Sequence, residues 1–297
     1  MNRLISSKAL RFFFLFLASL FLIGSLLPKI CSDTGEHNLH VHQAKAFLQG
    51  RFDIPQYYHD VAVYNERYYS PFPPFPALLL LPIVAIFGVS STKATLVSII
   101  LSALNIIVLT RLLKKLDLDS KSIPWIVAAF FLGTAYWLSV YNSSGVWFFA
   151  HVVAVTCMLL ALSEVLGNGR GVLAGMFLGM AFLSRQLFIY STLFLCVALW
   201  ENPRFNTRRG KFGNLLGFML AVVFCLSIYL AYNWIRFGNI FDTGYSYLLL
   251  SGFLKERFER VGLFHPAYVP FNFINMFLQG FHITFSPPTY LGGMQMD

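Results

Sequence analysis

The residues best able to do chemistry lie in one polar stretch of the chain and at one arginine beyond it. The stretch covers residues 33–88 and holds five of the 13 acids: Asp33, Glu36, Asp53, Asp60 and Glu66. Carboxylates are common general acids and bases, so we expect any chemistry to start in this stretch. Arg185 lies within an apolar run, and its planar guanidinium is suited to paired hydrogen bonds with an anion. The fold must therefore position groups for two tasks, acid–base chemistry and anion binding.

The composition indicates that the surroundings of these residues are lipid. Hydrophobic residues make up 57% of the 297 residues and charged residues 12%, with a mean hydropathy of +0.64. A soluble core cannot bury that much apolar surface, so we predict an all-α polytopic membrane protein. The net charge of +9 is divided among short clusters between apolar runs, as the positive-inside rule predicts, and this argues against a nucleic-acid partner. The four cysteines form neither a disulfide pattern nor a metal pattern.

The apolar runs predict a single transmembrane domain. We expect a first span at 12–27, an extracytoplasmic loop at 28–92, spans at 93–110, 124–140 and 146–166, a helical hairpin at 171–200, a span at 212–234 and an extracytoplasmic tail at 235–297. The run 75–87 has about half of the ~20 residues needed to cross a bilayer, so we predict a re-entrant or interfacial helix there. The last residues resemble the start of another loop, and we leave open that the chain is truncated.

Within the outer loop, the spacing of Val41, Ala44 and Leu48 predicts a helix over residues 36–48 that lies along the membrane surface. Asp33 and Glu36 are three residues apart, as in a capping box. Asp33 is therefore either the cap of this helix or a functional acid, and the two roles are compatible. The loop also holds four histidines without a metal-ligand pattern, and we predict no metal site: His37, His40, His42 and His59.

The segment 171–200 is interrupted at its middle by Arg185. One continuous helix would bury this arginine near the bilayer centre at a cost of about 3 kcal/mol or more, so we predict two short helices that meet there. Arg185 then either reaches the outer head groups or forms an anion site in an outward-facing cavity. The first short helix carries glycines spaced by four, which predict close packing against a neighbour: Gly171, Gly175 and Gly179.

Four patterns occur in a fixed order along the chain. QAKAFLQGRFDIP follows Asp33, and HDVAVYNERYYSPFPPFPALLLLPIVAIFG follows it in turn; GMFLGMAFLSRQ and RFGNIFDTGY come later. In this order they resemble the GT-C superfamily of membrane glycosyltransferases, in particular the group of protein mannosyltransferases and aminoarabinose transferases. The patterns cover most of the chain from Arg11 to Tyr247. The resemblance implies a GT-C-like transmembrane helix bundle whose large extracytoplasmic first loop carries juxtamembrane helices.

The resemblance also implies inverting transfer of a hexosyl or pentosyl group from a polyprenyl-phosphate sugar to an acceptor. The acceptor would be a lipid, a protein or a cell-wall polymer at the outer face of a bacterial inner membrane, and no further cofactor is expected. In this interpretation Asp33 or Glu36 is the catalytic base, Arg185 and Arg67 hold the phosphate, and the other substrate contacts come from Asp60, Tyr69 and Tyr245. Relatives often have two adjacent acids at the loop start, whereas Asp33 and Glu36 are three apart. The sequences of these relatives also continue into further transmembrane spans.

Three other functions stay open at this point. A transporter or lipid flippase needs charged or broken helices deep in the bundle, and Arg185 is the main ionisable candidate in such a position. A polysaccharide polymerase or ligase also has a large outer loop, although we expect that loop later in the chain. A non-catalytic membrane scaffold fits a truncated chain. Uptake by proteoliposomes distinguishes transport from sugar transfer.

Overall fold

The computed structural model describes residues 24–58, 60–250, 252–262 and 265–278. The parts of the sequence predictions that lie outside the described residues are positions 12–23 of the first span, His59, and positions 251, 263–264 and 279–297 of the tail. Residues 24–32, at the end of the predicted first span and the start of the outer loop, are helical.

Helices dominate the described chain. In chain order they are α1 (Leu39–Leu48), α2 (Phe75–Phe87), α3 (Ala94–Lys115), α4 (Ile123–Leu132), α5 (Tyr136–Tyr141), α6 (Val146–Ser163), α7 (Gly171–Phe182), α8 (Thr192–Trp200), α9 (Arg208–Phe237), α10 (Gly252–Val261) and α11 (Tyr268–Phe273). The strands are β1 (Ala62–Tyr64) and β2 (Arg67–Tyr69), which form one antiparallel hairpin. Short 3-10 turns cover Gly35–His37, Gln186–Ser191 and Tyr245–Tyr247, and π-helical turns cover Glu164–Asn168 and Ile274–Leu278.

Three helices in the described part of the chain are long and apolar enough to cross a membrane. They are Ala94–Lys115, Val146–Asn168 and Arg208–Phe237, and they coincide with the spans predicted at 93–110, 146–166 and 212–234. Together with the small amount of sheet, they indicate an all-α membrane protein.

The segment predicted as a span at 124–140 is two helices and not one, because α4 ends at Leu132 and α5 begins at Tyr136. Glycine at position 133 weakens the helix at that point. The Thr134 hydroxyl then donates to the Phe130 carbonyl at 2.6 Å and accepts the Tyr136 N–H at 3.2 Å. This side chain satisfies one backbone group on each side of the break, so the chain bends without losing those bonds.

The predicted close packing at the glycine-spaced helix is confirmed. Helix α7 lies against α9 so closely that a β-carbon on Gly175 would come 2.3 Å from the Phe218 carbonyl oxygen. A β-carbon on Gly179 would come equally close to the sulfur of Cys225. Only glycine permits this approach of one helix to another, and it fixes the position of the end of α7.

The predicted helix over 36–48 begins later than expected. A 3-10 turn ends at His37, and α1 starts at Leu39 with Asn38 as its N-cap, whose side chain accepts the His40 N–H at 3.0 Å. The capping box of Asp33 and Glu36 is therefore wrong, because a nearer asparagine caps the helix. The helix is also not a surface helix, since Val41 and Ala44 are fully buried in a cluster with residues of α2.

The described residues from position 249 onward form a second compact unit, which we describe by itself. They include α10 and α11. The guanidinium of Arg257 lies 5.1 Å from the ring centroid of Tyr268 and 5.2 Å from that of Phe271. These cation–π contacts join the two short helices of this unit.

Candidate functional site

The break at residues 183–185 creates the position of Arg185. Helix α7 ends at Phe182, and a 3-10 turn starts at Gln186. The Leu183 carbonyl, which the break releases, accepts the N–H of Phe75 at 3.0 Å. The Arg185 side chain crosses to α6, where its Nη2 donates to the Trp147 carbonyl at 2.7 Å. A helix break inside a membrane protein is tolerated where neighbouring groups satisfy the backbone in this way.

The proline cluster brings the loop before α2 to this break. Phe75 is the first residue of α2, and prolines on both sides of it remove N–H groups that would otherwise need partners. Because its own N–H binds Leu183, the residues just before it are held beside Arg185. Pro71 and Phe72 are both buried there.

The β-hairpin brings two further residues to the same place. Asp60 precedes β1 and has a left-handed backbone (φ 66°), a conformation that aspartate tolerates better than most residues. Ala62 of β1 forms an isolated bridge with Leu248, which holds the segment after α9 against the hairpin. Tyr245, three residues before Leu248, is thereby placed near Asp60.

These elements enclose a cavity of about 290 Å³. Its lining residues come from five separate parts of the chain: Asp60, Pro71, Phe72, Trp147, His151, Arg185, Tyr245 and Leu248. Three substrate-binding candidates from the sequence, Asp60, Arg185 and Tyr245, therefore meet in one place. A concave site with a few converging polar groups on an apolar wall is the usual form of a small-molecule site.

The guanidinium of Arg185 has unused capacity to bind a ligand. Its Nε is buried and has no hydrogen-bond partner within the described part of the chain. Burial raises the pKa of the Tyr245 hydroxyl, while the charge of Arg185 acts in the opposite direction, so the two groups interact. A guanidinium with an open donor can bind an anion. A carboxylate in the same cavity can accept a proton.

The two acids predicted as catalytic lie outside this cavity. Asp33 is buried, and its Oδ2 accepts the N–H of Thr95 at 2.7 Å, so it caps the N-terminus of α3, while its Oδ1 is buried without a hydrogen-bond partner in the described part of the chain. Glu36 is exposed and accepts a hydrogen bond from the Ser90 hydroxyl at 2.6 Å. Each acid thus binds the start of α3 or the turn before it.

The remaining two predicted substrate contacts are also elsewhere. Arg67 is exposed and lines a different pocket, together with Arg51 and Asp53. Tyr69 is buried, and its ring packs at 5.5 Å against that of Phe237. Arg67 is therefore not a second ligand for an anion held by Arg185, and Tyr69 belongs to the core.

Trp147 and His151 are cavity residues that the sequence interpretation did not propose. They lie one helical turn apart near the start of α6. The spacing of four residues that places both on one face was visible in the sequence. What the sequence did not reveal is which neighbour this face meets, because that depends on the Arg185 break.

Within residues 24–58, 60–250, 252–262 and 265–278, no group of three or more His, Cys, Asp or Glu side chains is arranged to hold a metal ion. No protein-family model, no curated protein and no solved structure matches the chain. The residues of the cavity are therefore the basis on which a function can be inferred.

Proposed function

We propose that the chain is a glycosyltransferase that transfers a sugar from a polyprenyl-phosphate donor to an acceptor at the outer face of a membrane. The observation that carries this proposal is the meeting of Arg185, Asp60 and Tyr245 in one cavity, at a helix break in an apolar protein. A donor with a lipid tail and a phosphate suits a membrane domain with a guanidinium whose buried Nε has no partner in the described part of the chain.

In this proposal each polar group has a defined task. Arg185 binds the phosphate and stabilises the charge that develops on it as the sugar leaves. The oxygen of the acceptor hydroxyl attacks the anomeric carbon, and the bond from that carbon to the phosphate oxygen breaks. The electron pair of that bond remains on the lipid phosphate, and the acceptor proton passes to the carboxylate of Asp60. Asp60 replaces Asp33 as the proposed base, because Asp60 lines the cavity with Arg185 and Asp33 does not.

The aromatic wall supports a sugar as the bound group. Trp147 is half-exposed and lines the cavity beside His151 and Arg185. Aromatic rings offer an apolar face to the C–H groups of a sugar ring, while polar groups bind its hydroxyls. Tyr245 and His151 are the polar groups suited to the second task.

The test is release of polyprenyl phosphate from a panel of polyprenyl-phosphate sugars by the purified chain in proteoliposomes. We expect Asp60→Asn to lower turnover by about 10²- to 10⁴-fold, since it removes a positioned base. We expect Arg185→Gln to lower it by about 10²-fold or more, since it removes a stabilising charge. Glu36→Gln and Lys45→Gln are matched controls, because they remove a charge of the same sign from the outer loop outside the cavity.

The outcomes separate the function from the site. If the folded native chain releases no lipid phosphate from any donor, the transferase proposal is wrong, and solute flux in the same vesicles would favour the transporter. If the native chain is active and both cavity variants keep its turnover, the reaction takes place elsewhere. Loss of activity in Glu36→Gln alone would show that the base is Glu36, at the start of the loop, and not Asp60.

A further inference from the structure

A second cavity, of about 440 Å³, lies between the end of α1, the start of α2 and the outer part of α9. Its wall is almost entirely apolar and includes Phe47, Phe52, Leu78, Ile228, Tyr232 and Ile235. Among the described residues that line it, Arg51 is the charged one. We refer to this cavity as the apolar groove.

The open side of the apolar groove is suited to bilayer chains. Leu78, Ile228 and Ile235 are all more than a third exposed. The two isoleucines belong to α9, one of the helices long and apolar enough to cross a membrane. Exposed apolar residues on such a helix contact hydrocarbon, so a flexible lipid chain is the occupant that the surroundings supply.

The polar end of the groove begins at Arg51, which also lines a neighbouring pocket of about 460 Å³. That pocket contains two cations and two anions, Arg51, Arg67, Asp53 and Glu66. Arg51 donates to both carboxylate oxygens of Asp53, and this hydrogen bonding holds the pKa of Asp53 below its usual value. The charge of Arg67 acts on Asp53 in the same direction. We refer to this pocket as the charged pocket.

The hairpin turn fixes half of the charged pocket. Glu66 and Asn65 both have left-handed backbones, with φ of 60° and 48°, between the paired residues Tyr64 and Arg67. Two successive left-handed residues form the tight two-residue turn that suits a twisted hairpin. Glu66 and Arg67 are therefore presented from a rigid support, next to the Arg51–Asp53 ion pair.

We propose that the apolar groove and the charged pocket together bind a phospholipid with a phosphoethanolamine head group. One acyl chain occupies the groove, the phosphate binds Arg51 and Arg67, and the ammonium group binds Asp53 and Glu66. A balanced set of two cations and two anions complements a zwitterionic head group, because each charge of the lipid meets its opposite. An anionic head group would leave the two carboxylates unmatched, and a choline head group has no N–H to donate to them.

The test is lipid binding by the purified full chain in detergent, measured by native mass spectrometry with lipids of identical acyl chains. We expect phosphatidylethanolamine to bind about fivefold more tightly than phosphatidylglycerol or phosphatidylcholine, as partly exposed ion pairs allow. The double variant Asp53→Asn, Glu66→Gln leaves two cations, and we expect its preference to change to phosphatidylglycerol. Lys45→Gln, on α1 but outside both cavities, should leave the preference unchanged.

The groove is tested separately. Ala231 lines it and is exposed on α9, so Ala231→Phe fills the groove without changing the core. We expect this variant to weaken binding of all three lipids by a similar factor, while Val223→Phe on the same helix does not. The proposal is overturned if phosphatidylglycerol or phosphatidylcholine binds the native chain as tightly as phosphatidylethanolamine, or if Ala231→Phe binds all three lipids normally. These measurements do not depend on sugar transfer, so failure of either proposal is recognised independently.

Discussion

Two arginines of this protein, Arg185 and Arg236, are partly or fully buried but differ in their hydrogen bonds. Arg236 is 2% exposed, and each of its guanidinium nitrogens donates to an acceptor within the protein: the carbonyls of Tyr232 and Ser70 and the side chain of Asn233. Its guanidinium carbon also lies 3.6 Å from the ring centroid of Tyr232. Arg185 has one such bond, to Trp147, and a buried Nε that has no acceptor in the described chain.

The difference is the one expected between a structural cation and the ligand-binding cation that we propose at Arg185. A buried charge is stable only when its donors are matched, and Arg236 meets that condition without any ligand. By binding Ser70, it also fixes the end of the hairpin directly before the prolines that lead to the cavity. Arg185 meets the condition only in part, and its side chain lines a cavity. Arg236 therefore holds the cavity wall in position, whereas Arg185 is available to an anion.

The largest expected effect is loss of stability in Arg236→Met. The substitution leaves the buried carbonyl of Ser70 and the amide oxygen of Asn233 without donors, at a cost of about 3 kcal/mol. Arg185→Gln loses one solvent-exposed hydrogen bond, to the Trp147 carbonyl, and should lower the free energy of unfolding by about 1 kcal/mol or less. Melting temperatures of the two variants in the same detergent measure the contrast. Equal loss of stability in both would show that Arg185 is structural, and the comparison would fail.

Much of this arrangement could be predicted from local sequence. The glycines spaced by four indicate how closely α7 approaches α9, because only small residues allow backbones to touch. The cost of burying Arg185 indicates that the helix breaks near it, since an unpaired charge in hydrocarbon is unfavourable. Both predictions depend on properties of a single segment, which a sequence displays directly.

The assembly of the site could not be predicted in that way. Arg236 follows an apolar run, so the sequence alone places it in a solvated tail, and its burial depends on Ser70, 166 positions away. Asp60 enters the cavity because β1 pairs with Leu248, which no local pattern indicates. Asp33 has the residue type and position expected of a base, but a distant helix N-terminus binds one oxygen of its carboxylate and holds it outside the cavity. Contacts between remote segments decide each of these cases.

His40 is a third buried polar side chain to compare with the two arginines. It lacks hydrogen-bond partners but does not line the cavity. Both ring nitrogens lack a hydrogen bond of ordinary geometry, although Gln43 and the Val146 backbone are close. Its ring centroid lies 5.9 Å from that of Phe72 and 6.3 Å from that of Phe149. Burial lowers the pKa of His40 to about 3. His40 should therefore remain neutral in the folded protein, unlike Arg185.

This difference predicts that acid destabilises the protein. An unfolded His40 takes up a proton below about pH 6.5, while the folded side chain does not until the pH approaches about 3, so stability falls as the pH decreases through this range. At pH 5 the loss is about 2 kcal/mol. Melting curves at pH 7.5 and pH 5 measure it, and His40→Phe should reduce the difference by about 2 kcal/mol. Burial also lowers the pKa of His42, so part of the difference should remain. An unchanged pH dependence in His40→Phe would contradict the assignment.

The smallest expected effect is that of Asp33→Asn. This variant tests whether the Asp33 carboxylate is the catalytic base. The Asn oxygen can accept the same N–H of Thr95, so the cap persists and only the favourable charge at the N-terminus of α3 is lost, about 0.5 kcal/mol. Asp33→Ala removes the cap as well and should cost about 1 to 2 kcal/mol. Turnover of polyprenyl-phosphate sugar should remain near native in Asp33→Asn, whereas Asp60→Asn loses it. If Asp33→Asn instead loses turnover at equal abundance and unchanged melting temperature, the proton acceptor is Asp33. The helix start that it caps would then be part of the active site, and the contrast between Arg236 and Arg185 would not extend to the carboxylates.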